Sequence, residues 1–270
     1  MSGQLRRVEL LGGHVRVAVR QGSGDGPPLV LCNGIGASLD LLQPFVDALD
    51  STIEVVRFDV PGVGGSTPPP LPYTFPLLAC WLGKLLDRLE YDKVDVLGIS
   101  WGGGLAQQFA FQNPRRCRKL VLVSTATGAL MVPARPAVLR HMLTPRRYRD
   151  AKFAVDAAPD LYGGQLRRDP ESVTQLLLKE ERLGTRSGYL LQLAAGLGWT
   201  SLPFLPTIRQ RTLILAGEDD PLIPPVNARI MRRLLPHANL HTYDDGHLGI
   251  VTHAAGLAPV IRDFLRNHDR

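Results

Sequence analysis

A serine lies between two glycines in Gly98-Ile99-Ser100-Trp101-Gly102. An apolar run, Val94-Asp95-Val96-Leu97, precedes it, and a helical pattern from Gly103 to Asn113 follows it. Strand, sharp turn and helix make a demanding path for a backbone. The apical residue is forced into a sparsely populated conformation, and side chains two positions to either side would collide. Glycine at 98 and 102 removes both collisions. The Ser100 hydroxyl then projects beyond the carboxyl end of a strand, next to the free N–H groups and positive dipole end of the following helix. A tight turn in which serine only hydrogen-bonds locally would give the same pentapeptide. A base and an acid in the right order elsewhere in the chain separate the two readings.

The flanking sequence alternates between strand and helix patterns. Val8–Leu11 and His14–Arg20 read as a hairpin across Gly12-Gly13. Pro28–Cys32, Ile53–Phe58, Val94–Leu97, Lys119–Ser124 and Arg211–Ala216 are short apolar runs of the kind found inside parallel sheets, and Asn239–Tyr243 is the last strand. Between them, a helix capped by Ser38 is expected to run to Leu49. Phe75–Leu89 carries Leu78, Leu82, Leu85, Leu86 and Leu89 on one side. Val226–Leu235 and Ala254–Asn267 close the pattern. From about 128 to 207 the pattern is helical and irregular, with no convincing buried strand. One interruption of this kind predicts an α/β fold: an eight-stranded, mostly parallel sheet from 1–127 and 208–270, with 128–207 inserted as a helical cap.

Composition excludes several classes. The 270 residues are 44% hydrophobic and 21% charged, as in a globular enzyme. No apolar run reaches the length of a membrane span. Met1-Ser2-Gly3-Gln4-Leu5-Arg6-Arg7 has charge but no apolar segment behind it, so a cytoplasmic protein is expected. Cys32, Cys80 and Cys117 have no metal-like spacing and suit reduced thiols. The net charge is +6 and the pI about 9.5, but the arginines are scattered and no nucleic-acid module is present. No zinc-like cluster or phosphate loop appears, so neither a metal nor a cofactor is expected.

A serine hydroxyl needs a base. Of His14, His141, His237, His241, His247, His253 and His268, His247 stands out. It follows the last strand in Asp244-Asp245-Gly246-His247, which puts it at the same sheet edge as Ser100, and His253 is the second choice. The base needs an acid. Glu218, Asp219 and Asp220 compete in the loop after Arg211–Ala216. The spacing to Gly217 and Pro224 selects Asp220, with Asp219 in reserve. The order Ser100, Asp220, His247 is that of an α/β-hydrolase. An oxyanion site is expected at the backbone N–H groups of Trp101 and of Ile35 in Asn33-Gly34-Ile35-Gly36, where a plain glycine turn is the alternative.

These residues identify the chain as a member of the α/β-hydrolase superfamily. Cys32-Asn33-Gly34-Ile35-Gly36-Ala37, Phe58-Asp59-Val60-Pro61-Gly62-Val63-Gly64-Gly65-Ser66 and Gly98-Ile99-Ser100-Trp101-Gly102-Gly103 resemble intracellular medium-chain-length polyhydroxyalkanoate depolymerases. So do Pro145-Arg146-Arg147-Tyr148, Tyr162-Gly163-Gly164 and Ala195-Gly196-Leu197-Gly198-Trp199-Thr200-Ser201 in the expected cap. The resemblance covers nearly the whole chain. It implies a Ser100–Asp220–His247 triad, hydrolysis of 3-hydroxy fatty acid polyesters, and the surface of a storage granule as partner. Leu190, Leu193, Leu197 and Trp199 are candidates for an apolar acyl site, and the cap's own core is the competing role. A small-molecule carboxylesterase, a lipase or a carbon–carbon-bond hydrolase is the alternative function. A non-catalytic binder on the same fold is disfavoured by the intact triad.

Overall fold

The computed structural model describes residues 3–178 and 184–267. Met1, Ser2 and His268 therefore lie outside the described residues. Eight strands form one sheet in the order β1-β2-β4-β3-β5-β6-β7-β8. They are β1 (Gln4–Leu10), β2 (Gly13–Arg20), β3 (Leu29–Cys32), β4 (Val55–Phe58), β5 (Val94–Ile99), β6 (Cys117–Val123), β7 (Arg211–Gly217) and β8 (Ala238–Tyr243). β2 pairs antiparallel with β1 and β4, and every other pairing is parallel. The turn of the first hairpin lies one residue earlier than expected. Leu11 and Gly12 take positive φ (53° and 80°), and Gly13 already pairs with Leu10.

The central strands are apolar on both faces because both faces are covered. Leu29, Leu31, Leu97, Ile99, Val121 and Leu215 point into one core. Their neighbours Val30, Val96, Leu120, Leu122 and Ile214 point into the other. On the first side lie α1 (Gln43–Ala48), the short α10 (Gly249–Thr252) and α11 (Ala254–Arg266); on the second lie α2 (Phe75–Arg88), α3 (Trp101–Gln112) and α9 (Val226–Leu234). Thr74 caps α2, and Leu78, Leu82, Leu85 and Leu86 are its buried stripe. The start of α1 departs from expectation. Ser38 Oγ is spent on Asp40, accepting its N–H at 3.2 Å, so residues 38–42 turn and the helix begins at Gln43, with Pro44 in its first turn.

Between β6 and β7 the described residues contribute no strand to the sheet. They form α4 (Pro136–Leu139), α5 (Ala151–Tyr162), α6 (Gly164–Arg168), α7 (Ser172–Leu177) and α8 (Arg186–Gly196), with a 3-10 turn at Pro145–Tyr148. The two ends of this segment meet. Gly128 and Thr200 form an isolated bridge, flanked by Ala129 N–H to Trp199 O at 2.7 Å and Ser201 N–H to Thr127 O at 3.0 Å.

Candidate active site

β5 ends at Ile99 and α3 starts at Trp101, so Ser100 alone makes the turn, at φ 53° and ψ −121°. That is a costly conformation for a residue with a side chain, and its neighbours hold it there. Ser100 N–H donates to Val123 O at 3.0 Å, and Ser100 O accepts from Thr125 Oγ1 at 2.7 Å. The flanking glycines are required by contact. A Cβ on Gly98 would sit 2.4 Å from Gly102 O, and one on Gly102 would sit 2.1 Å from Cys32 O.

His247 and Asp220 come from the loops after β8 and β7. Their side chains are almost wholly buried, with His247 Nδ1 2.8 Å from Asp220 Oδ2. Asp220 is itself held, because its Oδ1 accepts from the N–H groups of Leu222 (3.0 Å) and Ile223 (2.8 Å). His247 N–H donates to Tyr162 O at 2.7 Å, and the Tyr162 ring stacks beside the imidazole. Ser100 and His247 line one narrow cavity. Among the described residues no hydrogen bond joins the Ser100 hydroxyl to His247, whose ring is held from its Nδ1 side by Asp220. Asp219 turns the other way. It accepts from Gly164 N–H at 2.7 Å and pairs with Arg167. His253 packs its ring against Gly256 and is not among the cavity's lining residues.

The loop after β3 reaches Ser100. A Cβ on Gly34 would lie 3.7 Å from that of Ser100. Asn33 braces this loop. Its Oδ1 accepts from Gly34 N–H at 2.8 Å, and its Nδ2 donates to Ser38 O. Gly36 N–H is bound to Gln192 Oε1 at 2.7 Å, and Ala37 N–H to Gly34 O at 3.3 Å. Of the four N–H groups from Gly34 to Ala37, only that of Ile35 has no partner among the described residues. Trp101 N–H, in the first turn of α3, is the second donor expected beside the serine.

Apolar lining comes from Leu41, Met142, Leu177, Leu222 and Leu248. The four residues expected at an acyl site are placed elsewhere. α8 turns Tyr189, Gln192 and Ala195 inward, which leaves Leu190 exposed at 49%, and Leu197, just past the end of the helix, is exposed at 81%. Leu193 and Trp199 pack against the two cores, and Trp199 Nε1–H donates to Gln108 Oε1. Sequence reasoning missed Arg147, Tyr148 and Tyr162, all cavity-lining residues. Burial pushes the Tyr162 hydroxyl up to about 12, which keeps it protonated. Burial also raises Cys32 and Cys117, leaving both as inert thiols. Among the described residues no cluster of His, Cys, Asp and Glu could hold a metal ion.

A family model described as alpha/beta hydrolase fold matches residues 27–254. The chain is 52% identical over 261 residues to a poly(3-hydroxyalkanoate) depolymerase of Ectopseudomonas oleovorans, covering 97% of this chain and 92% of that protein. It is 26% identical to 3-oxoadipate enol-lactonase 2 of Acinetobacter baylyi, over 85% of each chain. Among solved structures, a hydrolase from Pseudomonas aeruginosa PA01 superposes with a TM-score of 0.82 at 25% identity, over 98% of this chain and 99% of that one.

Proposed function

The chain belongs to the alpha/beta hydrolase fold family, and from that footing we propose that it is a serine ester hydrolase that depolymerises intracellular medium-chain-length poly(3-hydroxyalkanoate). One observation carries the chemistry: Ser100, held at a strained turn, shares its cavity with His247, whose Nδ1 is fixed by buried Asp220. The relative that is 52% identical over nearly the whole chain supports the substrate class.

In this reading Asp220 fixes the imidazole with its proton on Nδ1, so Nε2 is the basic nitrogen. Ser100 Oγ attacks the ester carbonyl as its proton passes to Nε2. The oxygen that becomes negative is received by the N–H groups of Ile35 and Trp101, a contribution of about 3–4 kcal/mol per donor where one has been removed in comparable sites. Collapse breaks the ester bond, and the leaving 3-hydroxyl end takes the proton from Nε2. Water, deprotonated by the same nitrogen, then hydrolyses the acyl-enzyme. Leu41, Met142, Leu177, Leu222 and Leu248 give the acyl side chain an apolar wall. The segment 128–207 acts as the cap over this cavity.

No helix among the described residues is long and apolar enough to cross a membrane. We place the enzyme in the cytoplasm at the surface of polyester granules, as the substrate requires. The narrowness of the cavity favours, as a second reading, a small-molecule esterase. A mass spectrum of the products from an octanoate-type polymer tests the choice. Release of 3-hydroxyoctanoate monomers or short oligomers supports depolymerisation. Turnover of p-nitrophenyl octanoate with an untouched polymer supports the small-ester reading.

A further inference from the structure

A single peptide unit next to Ser100 is gripped at both ends by the segment between β6 and β7. The Ile35 carbonyl accepts from Tyr148 OH at 2.8 Å and from Arg147 Nη2 at 3.1 Å. The N–H of the same peptide, on Gly36, donates to Gln192 Oε1 at 2.7 Å. Gln192 also reaches the other side of the site, where its own carbonyl accepts the Trp101 indole N–H at 2.8 Å. The residues on which both oxyanion donors sit are thus tied to one helix, α8, and one 3-10 turn.

Burial makes these ties count. Gln192 is fully buried and Arg147 is 2% exposed. The Arg147 guanidinium lies over the rings of Tyr148 and Tyr189, at 4.6 and 5.3 Å from their centroids, and donates to Tyr189 OH at 2.8 Å. Tyr189 OH in turn donates to Met142 O at 2.6 Å. No carboxylate pairs with Arg147 among the described residues, so its strongest oxygen contacts are a phenol and the Ile35 carbonyl. The loop itself is soft, with glycine at 34 and 36. Gly36 has φ +76°, and a Cβ there would lie 2.7 Å from Tyr189 and 2.8 Å from Tyr148. Asn33 fixes the Gly34 N–H on the core side. The peptide that carries the Ile35 N–H therefore lies between one peptide anchored by the core and one anchored by Arg147, Tyr148 and Gln192.

We propose that Arg147, Tyr148 and Gln192 are positioning residues for the oxyanion site: by gripping the Ile35–Gly36 peptide they aim the Ile35 N–H, so that transition-state stabilisation depends on the docked cap. The proposal rests on the serine-hydrolase reading above. Positioning of this kind acts on kcat rather than on substrate binding.

Tyr148→Phe and Gln192→Leu test the two ends of the peptide separately, and Arg147→Lys keeps a charge and a donor where Arg147→Met keeps neither. Each is assayed with p-nitrophenyl octanoate and with an octyl trifluoromethyl ketone, whose hemiketal oxyanion occupies the same site. The expected result is a fall in kcat of roughly tenfold to a hundredfold for Tyr148→Phe and Gln192→Leu, less than the loss of a whole donor. KM stays within about threefold, ketone affinity falls in step with kcat/KM, and Arg147→Lys retains more activity than Arg147→Met. Wild-type kcat and ketone affinity in folded Tyr148→Phe and Gln192→Leu overturn the proposal. So does a rise in KM alone, which would make these residues substrate contacts. Failure of the wild type to react with a fluorophosphonate or to turn over any ester overturns the hydrolase reading itself, which distinguishes the two failures.

Discussion

Asp219 Oδ2 accepts the backbone N–H of Gly164 at 2.7 Å, although the next residue, Asp220, holds His247. Adjacent carboxylates on one loop are thus divided between two tasks. Asp220 is buried against the imidazole, while Asp219, nearly half exposed, pairs with Arg167 and ties α6 to the loop after β7. Asp220→Asn is expected to lower kcat by about three to four orders of magnitude, because an amide there favours the wrong imidazole tautomer. Asp219→Asn is expected to cost less than about tenfold, since it touches only the anchorage of α6. Steady-state kinetics of the two variants on one ester check this, and a larger loss for Asp219→Asn would reassign the acid.

Asp219 also carries a pH signature. The Arg167 hydrogen bonds, with help from Gly164 N–H, hold its carboxyl below the usual range. A depressed acid contributes stability that is complete above the ordinary value of about 4 and is lost as pH falls through its folded value. Because the pair is half exposed, the contribution is small, under about 1 kcal/mol. The thermal midpoints of wild type and Asp219→Asn should therefore differ at pH 7 and converge near pH 3. A gap that is the same at both pH values contradicts the assignment.

Much of the fold was legible because its signals are local. Gly98 and Gly102 mark the strand-to-helix turn through contacts within a few residues or across one strand pair, and the apolar runs of β3 to β7 read as strands because both faces are buried. Ser38 misled because its hydroxyl suits a helix cap and a turn equally well, and Asp40 decides for the turn. The roles of Arg147 and Gln192 were not legible, although Arg147 stands in one of the blocks that carry the family resemblance. Their meaning lies in contacts with Ile35 and Gly36 more than a hundred residues away in the chain, which no periodicity records. The leucines of α8 show the same limit, since apolar residues occur on several sides of that helix and only packing shows which side faces inward.

The glycine of the turn can be tested for stability. A methyl group on Gly102 would fall 2.1 Å from Cys32 O and 2.4 Å from Asn33 O, both backbone atoms that cannot swing aside. Gly102→Ala is expected to destabilise the protein by roughly 2 kcal/mol or more, a value typical of overpacking. Chemical denaturation measures this, and an unchanged midpoint contradicts the contact.

Acyl selectivity should follow the observed lining rather than the exposed residue just past the end of α8. Leu177 is buried and lines the cavity, whereas Leu197 is 81% exposed. Leu177→Ala is expected to shift the ratio of kcat/KM for decanoate over butyrate esters by about tenfold, within the 1–3 kcal/mol that a hydrophobic pocket discriminates. Leu197→Ala is expected to leave that ratio within twofold. Equal shifts in the two variants would extend the acyl site to Leu197.

The central claim is that Ser100 is the nucleophile of a polyester hydrolase. Its most direct measurement is the rate of monomer and oligomer release from a medium-chain-length poly(3-hydroxyalkanoate) suspension by wild type and Ser100→Ala, with thermal midpoints confirming that both are folded. The expected result is release by the wild type and a loss of about four orders of magnitude or more in the variant, as found when a triad member is removed elsewhere. Release by Ser100→Ala within tenfold of wild type would contradict it.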